Sequence, residues 1–230
     1  MRLVDNIFNS MLGKKSAPAI SAAVQDLDNT AENYNPEVMA WLNSTSWYKG
    51  NPNYITFEEA AAVDSNQFSG TNNAQKKAIV TFDEARFFTS VTYLAPDAFY
   101  RCELLERITI PDSVTSISNE VFRSCSSLAL TSLPSGLTSI GIYAFNGCLA
   151  LKDTLHEIPS SVTEIGDNAF RYVKFSTLKF LGLTPPTFGT KSIYALPQKV
   201  DCQVPGASLA EYKEAMKVLT DEGLVIISTY

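Results

Sequence analysis

Three cysteines recur at one position of a repeated phrase, so they are the first residues to consider for chemistry. Each follows a phenylalanine by three residues, and the fourth copy of the phrase carries Val173 at that position; the cysteines are Cys102, Cys125 and Cys148. A position that accepts valine is apolar, and a free cysteine behaves as a small buried hydrophobe. No C-x-x-C pair or nearby histidine supports a metal site. The pattern predicts buried free thiols rather than a disulfide or a metal centre.

Acid–base and nucleophilic chemistry would depend on a single histidine, His156. Its neighbourhood, Thr154–Pro159, alternates in the manner of a strand, which predicts a half-exposed structural residue rather than the base of a triad. Acidic pairs occur at Glu58-Glu59 and Asp221-Glu222, but Glu59 already completes the capping box Thr56-x-x-Glu59. No phosphate-binding loop, dinucleotide fingerprint or calcium loop is present. We therefore expect no catalytic activity, no cofactor and no metal.

Aromatic residues form the other candidate binding feature. Trp41, Trp47 and Tyr48 lie close together before the repeats. Such side chains stack on sugar rings or anchor protein interfaces. Packing inside the preceding cap is the competing interpretation, and the sequence leaves both open.

The repeated phrase itself begins Val/Leu-Thr-x-Ile/Leu and continues to a phenylalanine. Its phenylalanines are Phe99, Phe122, Phe145 and Phe170, at steps of 23, 23 and 25 residues. A period of this length is typical of a solenoid, in which each unit buries its apolar face by stacking on the next. We predict two buried ladders, one made of these phenylalanines and one of Leu94, Ile117, Ile140 and Ile165. The threonines of the phrase should form an exposed ladder on one side and provide a candidate ligand surface; they are Thr92, Thr115, Thr138 and Thr163.

The amino terminus predicts a short amphipathic helix over residues 2–13. Six apolar side chains share one face, which makes them candidate docking residues: Leu3, Val4, Ile7, Phe8, Met11 and Leu12. Residues 14–35 show no period and predict a linker, so residues 1–35 form an arm. A helix this short needs a surface to lie on. That surface is the flank of the solenoid, a second copy of the chain or a larger partner, and we favour docking into another subunit.

Helical signals follow over residues 36–87. Pro36 begins one helix after the cap residue Asn35, and capping boxes predict further helices over Phe57–Val63 and Phe82–Phe88. After the repeats, Pro185-Pro186 interrupts the pattern. A strand over Lys199–Pro205, a helix that begins at Ser208 and a final strand over Leu224–Ser228 complete the chain. The predicted organisation is an arm (1–35), a helical cap (36–87), a solenoid of about four rungs (88–186) and a β-α-β cap (187–230).

Composition narrows the classes of function. The formal charge of −6 argues against nucleic-acid binding, because phosphate contacts need clustered Lys and Arg. No apolar run is as long as the roughly 18 residues that a membrane span requires. Asp5, Asn6 and Asn9 interrupt the amino-terminal segment, so no secretory signal is recognisable. Two interpretations stay open: the protein is synthesised and assembled in the cytoplasm, or a signal has been removed.

The repeats resemble the BspA-like leucine-rich repeats of bacterial surface antigens, written I-P-x-S-V-T-x-I-G-x-x-A-F-x-x-C-x-x-L. The resemblance rests on Ile108–Leu128, on Gly141-x-x-Ala144-Phe145-x-x-Cys148 and on Gly166-x-x-Ala169-Phe170. The flank Ile55–Val63 is similar to an amino-terminal cap of gut bacterial and gut phage proteins, and Val204–Lys213 is similar to the usual carboxy-terminal cap. The last repeat departs from the pattern by lacking its cysteine.

The resemblance implies an α+β leucine-rich-repeat solenoid that works by adhesion or protein binding, without catalysis or cofactor. Together with the missing signal, it leads us to expect a structural or host-attachment component of a phage particle or a cell surface. The expected partners are a larger assembly through the arm and a host-surface protein or glycan through the repeats. The alternative from another class is a carbohydrate-binding or carbohydrate-active protein that uses the aromatic-rich amino-terminal cap.

Overall fold

The computed structural model describes residues 35–46, 57–68, 74–194 and 199–230. The candidate docking residues Leu3 to Leu12 lie outside these ranges, as do Trp47 and Tyr48. The helices are α1 (Pro36–Ser44), α2 (Phe57–Ala62), α3 (Ser65–Phe68), α4 (Ala74–Lys77), α5 (Leu209–Ala215) and α6 (Lys217–Asp221). Three 3-10 segments occupy Asp83–Phe87, Leu149–Asp153 and Gly206–Ser208.

The strands are short, and most contain two residues. They are β1 (Thr81–Phe82), β2 (Tyr93–Leu94), β3 (Arg107–Ile108), β4 (Ser116–Ile117), β5 (Ser139–Ile140), β6 (Glu157–Ile158), β7 (Glu164–Ile165), β8 (Phe170–Arg171), β9 (Thr177–Phe180), β10 (Thr187–Phe188), β11 (Ile193–Tyr194), β12 (Val200–Val204) and β13 (Val225–Thr229). Every strand pairing in the described part of the chain is parallel.

The repeated Val/Leu-Thr-x-Ile phrase builds a five-stranded parallel sheet in the order β10-β7-β5-β4-β2. Its register is strict, since Leu94 pairs with Ile117, Ile117 with Ile140 and Ile140 with Ile165. The side chains of this apolar column are fully buried, as the spacing predicted. We call each unit of the stack a rung.

The stack extends one rung further than the sequence indicated. Phe188 pairs with Ile165 in the sheet, and Ile193 pairs with Phe170 at the turn. The fifth rung was missed because it exchanges the two residue types: an aromatic ring occupies the isoleucine position and an isoleucine the phenylalanine position. The repeats therefore continue past residue 186, where we had placed the boundary.

The phenylalanine ladder is the centre of the core. The rings of Phe99, Phe122, Phe145 and Phe170 stack with centroids 5.3, 5.3 and 5.2 Å apart and interplanar angles of 11°, 15° and 2°. Phe82 packs edge-on against the first ring and Phe175 against the last, at 6.3 and 5.7 Å. The ladder thus ends on each side in an edge-to-face contact, which is a favourable geometry for two aromatic rings.

The turns around each ladder aromatic use a left-handed backbone twice per rung. The residues two before and two after each ladder position have positive φ, and all of those described except one are not glycine. They are Asp97, Arg101, Glu120, Ser124, Tyr143, Asn168, Tyr172 and Lys191, and the glycine is Gly147. Amides here donate to the following rung, as Phe99 N does to Val121 O at 2.8 Å. In the five-stranded sheet the amides donate to the preceding rung instead, as Thr115 N does to Thr92 O at 2.8 Å. These bonds hold successive rungs in register on both sides.

The amino-terminal end is closed by the helical cap. The side chain of Asn35 accepts from Val38 N and caps α1, as predicted. Ser65 Oγ accepts from the amides of Thr92 and Tyr93 at 2.9 and 3.1 Å, which satisfies the edge of the first sheet strand. The predicted helix over Phe82–Phe88 is instead a 3-10 turn over Asp83–Phe87, because Phe82 belongs to strand β1 and pairs with Ile108.

A second parallel sheet, in the order β13-β12-β9-β6, runs along the other side and closes the carboxy-terminal end. Helices α5 and α6 connect β12 to β13, and Tyr212 of α5 is buried with its hydroxyl donating to Gly182 O at 3.0 Å. Within the described residues, no helix is long and apolar enough to cross a membrane.

Candidate functional site

The repeat cysteines are buried free thiols, and a fourth buried free thiol is Cys202. Cys125 Sγ donates to Phe99 O and Cys148 Sγ to Phe122 O, each at 2.9 Å. Burial raises the pKa of Cys102 to about 11 and raises the pKa of Cys148 further. These thiols stay protonated near neutral pH and are structural, since nucleophilic cysteine chemistry needs the thiolate.

The residues considered for catalysis do not come together. His156 is exposed, and its backbone carbonyl accepts from Lys179 N at 2.8 Å in the second sheet. Asp221 and Glu222 are exposed at the end of α6. In the part of the chain that the structure describes, no group of three or more His, Cys, Asp or Glu residues is arranged to hold a metal ion.

Trp41 is not part of a ligand surface, contrary to one of the two interpretations of the aromatic cluster. Its side chain is fully buried and packs edge-on against Phe82, with ring centroids 5.5 Å apart. The Nζ of Lys76 lies 4.8 Å from the Trp41 ring and 4.5 Å from the Phe99 ring. The tryptophan thus helps to close the phenylalanine ladder, and burial lowers the pKa of the lysine beside it to about 7.

The threonine ladder forms as predicted on the exposed side of the five-stranded sheet. The side chains of Thr92, Thr115, Thr138 and Thr163 are exposed. Each of the last three donates its hydroxyl to the carbonyl of the threonine one rung back, at 3.2, 2.9 and 3.2 Å. Because the hydroxyl proton is used within the ladder, the surface presents methyl groups and oxygen lone pairs to solvent.

A second column runs beside the threonines. It consists of Tyr93, Ser116, Ser139 and Glu164, with Thr187 in the fifth rung. The hydroxyls of Ser116 and Ser139 are 2.7 Å apart and hydrogen-bonded. We call the two columns together the β face. Glu164 is its single acidic side chain, so the surface is nearly neutral and rich in acceptors.

The turns carry a different surface, which sequence reasoning missed. We call it the turn face: the side chains two before, one after and two after each ladder position. The residues directly after the ladder position are Tyr100, Arg123, Asn146, Arg171 and Tyr194. These residues recur at the repeat period, which is a signal in the sequence, but their types vary from rung to rung and they lie outside the consensus positions.

Guanidinium groups lie against tyrosine rings along the turn face. Arg123 Cζ is 5.8 Å from the ring centroid of Tyr100 and 5.0 Å from that of Tyr143. Arg171 Cζ is 4.7 Å from the Tyr172 ring and 5.4 Å from the Tyr194 ring. Arrangements of this kind combine a charge with a flat apolar surface and suit binding more than chemistry.

The parallel rungs and the strict register between them define a leucine-rich-repeat fold. The family model of the BspA type leucine rich repeat region matches residues 42–179 in six copies. This is more than half of the chain, which therefore belongs to that family. No curated protein matches the chain.

Three solved structures are similar. A leucine rich cell surface protein of Faecalibacterium prausnitzii shares 25% identity over 50% of this chain and 37% of its own, with a TM-score of 0.37. A leucine-rich repeat protein of Bacteroides ovatus shares 23% over 56% and 48%, with a TM-score of 0.37. The leucine rich repeat protein of T. pallidum shares 22% over 68% and 75%, with a TM-score of 0.37. The chain thus spans less than half the length of the first two.

Proposed function

We propose that this chain is a non-enzymatic binding and adhesion scaffold whose β face contacts a protein partner. The observation that carries the proposal is the unbroken exposed column from Thr92 to Thr163. It is built on a rigid core and is nearly uncharged. Side-chain groups held at one spacing by a repeating backbone are preorganised, so little conformational entropy is lost when a partner binds.

The chemistry of the β face indicates what kind of surface it fits. The hydroxyl protons of Thr115, Thr138 and Thr163 are committed to carbonyls one rung back. The outward groups are therefore acceptors and methyls, and they fit a partner that offers N–H or O–H donors between small apolar contacts. A partner with a strong negative field is a poorer match, because Glu164 lies within the face.

The amino-terminal arm supplies the second contact of the proposed function. Leu3, Val4, Ile7, Phe8, Met11 and Leu12 would dock into another subunit of a larger assembly, from which the rungs project. A virion or a cell surface is the proposed setting, and host attachment is the proposed role. The family membership supports a surface-binding role in general, and the proposed virion setting rests on the predicted arm.

The carbohydrate-active alternative in the amino-terminal cap is weakened by the burial of Trp41. Its remaining residues, Trp47 and Tyr48, lie outside the described ranges. We therefore do not propose it.

The test places a bulky charge on the β face. A Thr115→Arg, Thr138→Arg double variant should abolish capture of the protein partner from host-cell extract, identified by mass spectrometry against the wild-type chain. The control is Ser132→Arg, which is exposed on a loop outside the β face. Equal capture by wild type and the double variant, with both folded by circular dichroism, would show that the β face is not the binding surface.

A further inference from the structure

Two rungs of the turn face place an arginine against two tyrosine rings, with the tyrosines at different repeat positions, and the two arginines differ in how their charge is met. In the second rung, Arg123 lies between two tyrosine rings and its NH1 bonds Glu120 Oε2 at 2.6 Å. That hydrogen bond raises the pKa of the guanidinium. The charge of Arg123 is thus neutralised within its own rung.

In the fourth rung, Arg171 occupies the same position but has no acid beside it. Asn168 stands where Glu120 stands in the second rung, and its Oδ1 lies 3.4 Å from Arg171 NH1. The nearest acidic residue along the chain, Asp167, accepts instead from Thr190 N at 2.6 Å. Within the described residues, Arg171 forms no ion pair, and its buried Nε has no hydrogen-bond partner.

A second positive charge lies next to it. Lys191 occupies the Asn168 position of the fifth rung, and its Nζ is 5.8 Å from the ring centroid of Tyr194. Arg171 contacts the same ring. A chain of net charge −6 therefore places two cations around one tyrosine, and the neighbouring carboxylate of Asp167 is bonded to the amide of Thr190.

The aromatic component of this patch is partly open to solvent. Tyr172 is 48% exposed, and its ring is perpendicular to that of Tyr194 at 87°, with centroids 6.2 Å apart. A partly exposed ring with a guanidinium over it can contact the C–H groups of a sugar while the cation pairs with an acidic substituent. We call Arg171, Tyr172, Lys191 and Tyr194 the cationic patch.

The backbone of the turn face favours a sugar over a peptide as ligand. Phe170 N donates to Ser192 O and Tyr172 N to Tyr194 O, both at 2.8 Å. Because these groups are used between rungs, the fourth-rung amides beside Arg171 and Tyr172 are not open to an extended peptide. A sugar chain has no backbone N–H and C=O groups that need hydrogen-bond partners, and its hydroxyls remain hydrated.

We propose that the cationic patch is a binding site for a carboxylate-bearing sugar of the uronic acid class. The carboxylate pairs with Arg171 and Lys191, and the pyranose ring stacks on Tyr172. The site is separate from the β face, so it adds a glycan contact to the proposed protein-binding function and does not depend on it.

The experiment is titration calorimetry of the full chain with an oligogalacturonate at low salt. We expect binding that weakens as salt is added, because partly exposed ion pairs are screened. A neutral galactose oligosaccharide of equal length should bind at least about tenfold more weakly, since it lacks the paired charge. Equal binding of the neutral sugar, or no binding of the charged one, overturns the proposal.

The chain offers its own control variants. Asn168→Glu copies the second rung and should neutralise Arg171, and its backbone suits glutamate because Asn168 and Glu120 have φ of 55° and 59°. We expect Asn168→Glu and Arg171→Gln to lose binding, and Arg123→Gln to retain it. Retention by Asn168→Glu, with an unchanged melting temperature, would contradict the assigned site.

Two further measurements fix the ligand class. Tyr172→Ala should weaken binding of the oligosaccharide, since the sugar loses its stacking surface. Polyglutamate of similar charge should bind more weakly than the oligogalacturonate. Tighter binding of polyglutamate, or no effect of Tyr172→Ala, would overturn the sugar assignment in favour of an acidic peptide.

Discussion

Cys125 and Cys148 donate to backbone carbonyls in the preceding rung and Cys102 donates to Lys76 O in the cap, so each cysteine is both a packing residue and a weak hydrogen-bond donor. We expect Cys102, Cys125 and Cys148 to resist alkylation in the folded protein, because burial keeps them protonated and inaccessible. All should react after denaturation, as followed by mass spectrometry. Rapid labelling of the three in native buffer would contradict the buried assignment. As a companion variant, Cys125→Val should fold normally, since Val173 fills that position in the fourth rung.

Among single residues, the ladder phenylalanines contribute strongly to the free energy of unfolding. Phe145 is fully buried and stacked between two rings. Phe145→Ala should lower the free energy of unfolding by about 3–5 kcal/mol, because it removes a large side chain and leaves a cavity. Denaturant titration measures the change. The exposed Tyr172→Ala serves as the control for losing an aromatic ring, and a loss below about 1 kcal/mol for Phe145→Ala would contradict the register.

Lys76 makes the stability dependent on pH. Burial lowers its pKa from 10.5 to about 7, so between those values the unfolded chain binds a proton that the folded chain does not. Stability from this lysine therefore rises with pH across that window and is lowest at or below pH 7. The buried thiols act in the opposite direction at alkaline pH, because their pKa values are raised in the folded state.

The difference between wild type and Lys76→Met isolates the lysine from the thiols. Measured by urea unfolding at several pH values, the difference should shift in favour of wild type as pH rises from 7 to 10. The methionine keeps the apolar length of the side chain without its titration. Curves for the two proteins that stay parallel over the whole range would show that Lys76 does not carry the effect.

At the scale of the elements, close contact between successive turns explains the repeat glycines. A Cβ on Gly166 would lie 2.7 Å from Ile142 N and 2.8 Å from Gly141 C, which are backbone atoms that cannot move aside cheaply. Gly166→Ala should therefore cost about 1–3 kcal/mol of stability through overpacking. Thermal unfolding measures it. Gly136 is the matched control, since a Cβ there meets nothing within 4 Å and Gly136→Ala should be nearly neutral; equal effects of the two would refute the contact argument.

At the scale of the whole molecule, side chains of the described cap lie against the first rung of the solenoid. Trp41, Phe82 and Ser65 cover the first rung. Deletion of residues 1–30 should leave the melting temperature unchanged and abolish assembly with the partner subunit, as judged by sedimentation. In the full chain, Ile7→Asp with Phe8→Asp should reproduce the assembly loss. Unfolding of the truncated protein would instead place the arm in the core of the solenoid.

The repeat period in the sequence is sufficient to predict most of the solenoid. Four rungs, the phenylalanine and isoleucine ladders, the buried thiols and the exposed threonines all follow from residues that recur at fixed spacing. Each rung contacts its neighbours in the same way, so one local rule specifies the stack. The cap residue Asn35 and the strands near residues 200 and 225 could also be predicted from the sequence, because capping and alternation are local signals.

Other features depend on contacts between residues far apart in the sequence, and only the tertiary structure shows them. The fifth rung became visible only through the pairing of Phe188 with Ile165, because its residue types are exchanged. The burial of Trp41 depends on a cap that meets the first rung across a long separation in sequence. The contrast between Arg123 and Arg171 exists because the fold brings residues two before and one after the ladder to the same edge. Periodicity fixes which residues repeat, whereas burial and charge pairing depend on which side chains meet in space.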